Sequence, residues 1–273
     1  MNDDAPILEQ GHLRLRRCRH GVFLYSLMDL YIGRSLETYG EYCEEEARLY
    51  QRFLGPGQVV VDAGANVGCH TVLFAASVGQ AGRVFAFEPQ RVVFQTLCAN
   101  LALNGLRNVE AWPVGLASAV GQRVVPPISY DTEGNFGGLS LAEDGPGEAV
   151  VVTTIDNLGL DACHLIKIDV EGMEREVLLG AADTISRHRP LLCVENDLRE
   201  KSEALIGQLL ELDYRAYWHV PRLFNPDNHR GEQRNVFGDT VNVNMLCLPR
   251  EDGRRVEGLR AVESVRDWWQ SDA

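Results

Sequence analysis

The chain has 273 residues, 45% of them hydrophobic and 24% charged, which supplies apolar material for a full core and excludes a disordered or fibrous chain. The length fits one large domain or two small ones, and without an internal repeat or a linker one domain is the preferred reading. Lys and Arg number 26 against 39 Asp and Glu; the formal charge of −13 argues against a binder of phosphate backbones but leaves nucleotide-like and cationic ligands open.

The start, Met1-Asn2-Asp3-Asp4-Ala5, is acidic and lacks the basic-then-apolar pattern of a secretory signal. Leu13 and Leu15 alternate with Arg14 and Arg16, which predicts a hairpin within residues 11–32 with its arginines on a solvated face. Helical spacing over 41–54 stops at Gly55-Pro56-Gly57. A regular alternation follows: a strand at 58–62, a helix at 66–78, a strand at 83–88, a helix at 90–103 and a strand at 109–114. Strands that are apolar throughout, separated by helices, indicate parallel βαβ units covered on both faces. Residues 118–150 break the rhythm with Pro126-Pro127, Gly137-Gly138 and Gly145-Pro146-Gly147, and read as a loop-rich insertion over the sheet edge or the cleft. The rhythm resumes with a strand at 164–169, a helix at 173–185, a strand at 190–195, a helix at 200–212 and a strand at 214–219. A polar loop at 221–239 precedes a last strand at 241–248, and Trp268-Trp269 is expected to dock the charged tail. Seven cysteines are scattered singly, which reads as reduced core thiols in a cytoplasmic protein. No apolar run approaches the roughly 18 residues of a membrane span.

Ligands of open parallel sheets bind outside the carboxyl ends of the strands, so the polar residues there are the candidates. The first of these strands ends in Asp62-Ala63-Gly64-Ala65-Asn66-Val67-Gly68, where a glycine turn opens a helix. Its spacing is GxxxG rather than the GxGxxG of dinucleotide binders, and alone it reads equally as a tight connection. The second strand ends in Glu88-Pro89. A carboxylate there, about 20 residues past a glycine turn, can accept both ribose hydroxyls. Two acids, Asp62 and Glu88, suit a sulfonium with an amino-acid tail better than a pyrophosphate, which favours S-adenosylmethionine (SAM) over NAD. The fourth strand delivers Asp169, a candidate for substrate, metal or general-base work. Glu171 and Glu174 read as acids complementing a helix N-terminus, with a cleft role for Glu171 as the equal alternative. Asp169, Glu195 and Asn196 together form an all-oxygen set that suits Mg²⁺, with helix capping as the alternative. The same set is similar to the acid…acid–Asn pattern of metal-dependent catechol-type O-methyltransferases. His70, one turn into the first helix of the alternation, and His219, at a strand end, are candidate bases whose alternative is a structural role. Asn135-Phe136-Gly137-Gly138 reads as a cleft lid or as an ordinary turn.

Seven motifs then appear in order: VDAGANVG (61–68), FAFEP (85–89), NLALNGL (100–106), TTIDNL (153–158), IKIDVEGME (166–174), VLLGA (177–181) and RPLLCVE (189–195). The sequence resembles the FkbM-type SAM-dependent methyltransferases over roughly residues 55–200, and GRSLETYGEYCEEE (33–46), NPDN (225–228) and VNVNML (241–246) also look like that family. The resemblance implies an α/β class I methyltransferase fold: a Rossmann-like sheet of seven strands with the last antiparallel. The N-terminal hairpin and helix (1–54) would pack on a methyltransferase domain at 55–250, with the insertion at 118–150 and a tail at 251–273. In that fold the turn of Asp62, Gly64, Ala65, Asn66 and Gly68 takes the methionine moiety, while Glu88 with Pro89 takes the ribose. Tyr39 and Glu41 are candidates to close over the cofactor, with a surface loop as the equal alternative.

The function implied is O-methylation of a hydroxyl on a small molecule or saccharide, without nucleic acid or membrane as partner. Asp169 is the first choice for the base, with Glu195, Asn196 and His219 behind it. N-methylation is weakened because the Asn/Asp-Pro-Pro-aromatic run of such enzymes is replaced by Asp169-Val170-Glu171-Gly172. A non-catalytic SAM-binding or scaffold protein stays open.

Overall fold

The computed structural model describes residues 5–270. Residues 1–4, which carry the reading of the acidic start, and 271–273 of the tail lie outside the described residues. The chain opens with three antiparallel strands, β1 (Leu8–Gln10), β2 (Leu13–Cys18) and β3 (Gly21–Ser26), followed by α1 (Ile32–Tyr39) and α2 (Glu44–Phe53). The alternation is β4 (Val59–Ala63), α3 (Cys69–Val78), β5 (Arg83–Phe87), α4 (Arg91–Leu103) and β6 (Val109–Trp112). Then come β7 (Gly115–Leu116), β8 (Gly121–Val125) and β9 (Glu148–Thr153), which form a small sheet in the order β7-β9-β8. The second half holds β10 (Leu165–Ile168), α5 (Glu174–Leu179), α6 (Ala182–His188), β11 (Leu191–Glu195), α7 (Arg199–Glu211), β12 (Tyr214–His219), β13 (Asn244–Pro249) and β14 (Arg260–Ala261).

The central sheet has the order β14-β12-β13-β11-β10-β4-β5-β6. β11, β10, β4, β5 and β6 run parallel, and β13 lies antiparallel between β11 and β12. This is the expected seven-stranded arrangement with its last long strand reversed, extended by the two-residue edge strand β14. Successive strand residues serve opposite faces. Val60, Leu165 and Leu191 pack with Leu49, Tyr50, Leu73 and Phe74 of α2 and α3. Val61, Ile166 and Leu192 pack with Val177, Ile185, Leu205 and Leu209 of α5, α6 and α7. Both faces are covered, which is why these strands read as apolar throughout.

The N-terminal sheet is fastened to the core by two asparagines. Asn100 donates to Leu24 O and Val67 O and accepts from the Leu24 N–H, and Asn104 makes the matching pair with Val22. The edge of β3 thereby has its backbone groups satisfied by side chains of α4 and of the residue that caps its C-terminus. Trp268 packs edge-on against Trp218 of the core, docking the tail as expected.

Two expectations of helix and strand fail locally. The hairpin does not run to 32; β3 ends at Ser26 and α1 begins at Ile32, burying Ile32, Ser35, Leu36 and Tyr39 at helical spacing. The single helix at 173–185 is broken into α5 and α6 at Gly180. A Cβ there would lie 2.1 Å from the Ala117 carbonyl oxygen, and the Gly180 carbonyl accepts from the Asp156 N–H, so tertiary contacts end the helix where periodicity continues.

Candidate active site

A cavity of about 270 Å³ opens at the carboxyl ends of β4, β5, β10 and β11. It lies where the strand order turns outward in both directions from β4 and β10, the crevice such sheets use for ligands. Gly64, Ala65, Asn66, Glu88, Pro89, Asp169 and Glu195 line it.

On the β5 side, Glu88 is buried at the strand end, where it accepts from the Asn66 N–H at 2.9 Å and from the Gln90 N–H at 2.8 Å. Burial pushes its carboxyl up to about 7, against the pull of those two N–H groups and of Lys167. Gln90 also reaches across to the insertion, donating to Phe136 O at 2.7 Å and accepting from the Tyr130 hydroxyl. This contact brings Asn135, Gly137, Leu139 and Leu141 to the cavity wall.

On the β10 side the central group is Lys167. Its ammonium is 2.7 Å from Gly64 O, 3.1 Å from Asp169 Oδ2 and 3.5 Å from Asp62 Oδ1. Burial works against this charge, yet Asp169, Asp62 and Glu46 outweigh it and hold the pKa above the ordinary lysine value. Beyond Asp169, an oxygen from each of Asp169, Glu171 and Glu195 falls within 4.8 Å of the others, and Asp197 lines the same wall. Burial, then the charges of Asp169 and the neighbouring acids, raise the pKa values of Glu171 and Glu195. Glu195 Oε2 is buried without a hydrogen-bond partner.

The third wall comes from α2, α3 and β13. His70 lines the cavity with its Nε2 3.7 Å from Glu46 Oε2. Glu46 Oε1 accepts from the Tyr50 hydroxyl at 2.7 Å and from Asn244 Nδ2 at 3.0 Å. Tyr42, Asn242 and Asn244 complete this wall.

Several candidates stand elsewhere. Asp62 does not reach the cavity; it is fully buried beneath the turn, accepting from Thr71 Oγ1 and facing Lys167. Gly68 does not line the cavity; it caps α3 in the left-handed conformation, φ +92°, that glycine adopts without strain. Gly64 lines the cavity, but its lack of a Cβ first serves the 1.8 Å approach such an atom would make to Asp169 O. Tyr39 is buried among Cys43, Leu223 and Phe237, and its hydroxyl binds the backbone at 234 and 236. Glu41 is buried against Arg19, Asn225 and the His229 N–H. Asn196 turns away from the acids to Ser202 Oγ and Met245 Sδ, so the expected Asp169–Glu195–Asn196 set does not assemble. His219 is buried opposite Asn244 in the β12–β13 register and does not line the cavity.

Lys167, Glu46, Gln90 and the Asn242–Asn244 pair are the residues sequence reasoning missed. Lys167 carried a signal, a lone cation inside the apolar strand LIKI. Glu46 carried another, since it shares a helix face with Leu49, Tyr50 and Phe53.

Strand order, reversed β13 and the acid at the end of β5 define a Rossmann-like class I methyltransferase fold. The chain belongs to the FkbM methyltransferase domain family, whose model matches residues 62–216. It is 30% identical over 177 residues to methyltransferase sdnD of Sordaria araneosa, covering 53% of this chain and 66% of that protein. It is 29% identical over 191 residues to the AMB antimetabolite synthetase AmbE of Pseudomonas aeruginosa PAO1, covering 55% of this chain and 9% of that one. The chain thus spans just under two thirds of one relative and under a tenth of the other. Among solved structures it is similar in fold to the Pyrococcus horikoshii protein PH0793, with TM-score 0.50 and 12% identity over 89% of this chain and 73% of that one.

Proposed function

We propose that the protein is a SAM-dependent methyltransferase that modifies a hydroxyl of a small molecule or saccharide, in the cytoplasm. The observation that carries this reading is Glu88: a carboxylate at the end of β5, fixed by two backbone N–H groups and open to the cavity. An ionised carboxylate has lone pairs enough to accept both ribose hydroxyls besides those two bonds. The wall opposite fits an amino-acid tail, with the Lys167 ammonium to meet a carboxylate and Asp169 to meet an ammonium. Five acids line the cavity wall, Glu88, Asp169, Glu171, Glu195 and Asp197; burial and mutual repulsion disfavour their ionised forms, and a cationic ligand such as a sulfonium would relieve that cost. When bound, SAM supplies an electrophilic methyl group; the chain's task is to align an acceptor with it and exclude water. Alignment of this kind can lower the barrier by about 7–11 kcal/mol. Asp169 and Glu195 orient the acceptor, and the 135–141 segment covers it. Membership of the FkbM family and likeness to a methyltransferase support the reading.

Mg²⁺ fits this site poorly. Asn196 is engaged elsewhere, and the Lys167 ammonium at 3.1 Å already compensates Asp169, the acid such an ion would share with Glu171 and Glu195. A balance of −13 disfavours nucleic acid as acceptor, and among the described residues no helix is long and apolar enough to cross a membrane.

Incubation with SAM carrying a deuterated methyl group, against panels of sugars, polyols, phenols and amines, tests the assignment by mass spectrometry. The expected product carries the label on oxygen. Label on nitrogen alone would move the assignment to N-methylation. Binding of the cofactor with no labelled product from any panel would point to a non-catalytic SAM-binding protein.

A further inference from the structure

Methyl transfer to a hydroxyl releases a proton, and Asp169, the first choice to receive it, is already engaged by Lys167 at 3.1 Å. We propose that His70, held by Glu46, takes that proton. This rests on the methyltransferase reading and adds to it the identity of the base and of the residue that positions it. His70 is 7% exposed, lines the cavity, and has its Nε2 buried without a hydrogen bond 3.7 Å from Glu46 Oε2. A gap of that size is short enough for a small ring rotation to close when substrate binds, as catalytic hydrogen bonds commonly tighten only in the complex. Glu46 cannot follow the ring easily, because Tyr50 and Asn244 hold its Oε1 and Asn242 Nδ2 lies 3.5 Å from Oε2.

The surroundings favour a neutral imidazole that gains a proton only when one is delivered. Burial lowers the His70 pKa; Glu46 opposes this, Lys167 adds to it, and Asp62 and Asp169 oppose it. Tyr42 and Tyr50 pack on the ring from the N-terminal segment and stay neutral, their pKa values raised by burial. Burial raises the Glu46 carboxyl; the charge of His70 once protonated, the Tyr50 hydroxyl, the charge of His219 once protonated and Lys167 act the other way and favour the carboxylate. Nε2–H therefore faces Glu46, and Nδ1 is the basic nitrogen. In the step, the acceptor oxygen forms its bond to the methyl carbon while the S–C bond breaks with its electron pair on sulfur. The hydroxyl proton passes to Nδ1, and Glu46 balances the imidazolium. Glu46, Asn242 and Asn244 all lie outside residues 62–216, so the part of the site that positions this base comes from segments flanking the matched region.

Long-range proton–nitrogen NMR on the S-adenosylhomocysteine-saturated protein reads the tautomer directly. The expected result is His70 with its proton on Nε2, titrating below about 6.5, and at still lower pH in Glu46→Gln. With the acceptor found by the labelling screen, His70→Gln should lower kcat by about 10²–10⁴ while affinity for S-adenosylhomocysteine stays within about twofold. Glu46→Gln, which loses the charge that balances the imidazolium, should lower kcat by less than His70→Gln does and move the acid limb of kcat/KM to lower pH. A proton on Nδ1, a titration that Glu46→Gln leaves unmoved, or full turnover in His70→Gln would overturn the proposal. The wild-type tautomer decides the matter even where a variant does not fold. Failure of the wild type to bind S-adenosylhomocysteine would instead strike the methyltransferase reading, and the tautomer of the free protein would still be readable.

Discussion

On the β5 side of the cavity, Glu88 is held by backbone N–H groups from residues 66 and 90, within one βαβ unit. On the β10 side, Lys167 is held by Gly64 O and by the carboxylates of Asp62 and Asp169, and the wall continues through side chains as distant as Glu46 and Asn244. The first region is made by a turn; the second is made by charge compensation between strands and helices that meet only in the folded state. A backbone-held carboxylate keeps its place when neighbours change, and its ionisation is set by burial. A side-chain-held charge depends on each partner, and removing one strands the others.

The largest break in this comparison is Lys167→Met. It leaves Asp62 fully buried without its counter-charge. Removing one partner of a buried pair costs about 3–5 kcal/mol, and urea unfolding should show a loss of that size. A loss below about 1 kcal/mol, the value of an exposed pair, would show that the second region is not charge-compensated as described.

A gentler probe is pH. The Glu88 carboxyl, pushed up to about 7 in the folded chain, lies above its ordinary value of about 4.3. The protonated form is favoured on folding, so this group's contribution to stability is full below about pH 4 and is lost as pH rises through about 7. Ribose hydroxyls need the carboxylate as acceptor, so ligand binding expels the proton. Affinity for S-adenosylhomocysteine should therefore fall as pH drops below about 7, by at most about tenfold per unit. Calorimetry in buffers of different ionisation enthalpy should show proton release near neutrality. Affinity flat from pH 5.5 to 8 would remove Glu88 from the ribose contact.

The same contrast explains what was legible in the sequence. The parallel strands were legible because burial on both faces leaves unbroken apolar runs, and Glu88 because it ends such a run next to Pro89. Lys167 could have been read as well, since a lone cation in a four-residue buried strand needs nearby acids. Asn242 and Asn244 could not, because alternation with Val241 and Val243 fits a solvated strand face as well as a cavity wall. Asn196 misled for a related reason: its neighbour Glu195 reaches the cavity, and the next strand residue points the other way, to Ser202. The split between α5 and α6 was invisible because the contact that ends the helix, with Ala117, lies 63 residues away in the chain.

Calorimetric titration of the protein with S-adenosylhomocysteine and with NAD, repeated on Glu88→Ala, tests the central claim most directly. The account predicts micromolar binding of S-adenosylhomocysteine, no heat with NAD, and about hundredfold weaker binding in the variant, near 2.8 kcal/mol. Well-folded protein that does not bind S-adenosylhomocysteine, or a Glu88→Ala variant that binds it as tightly as the wild type, would contradict it.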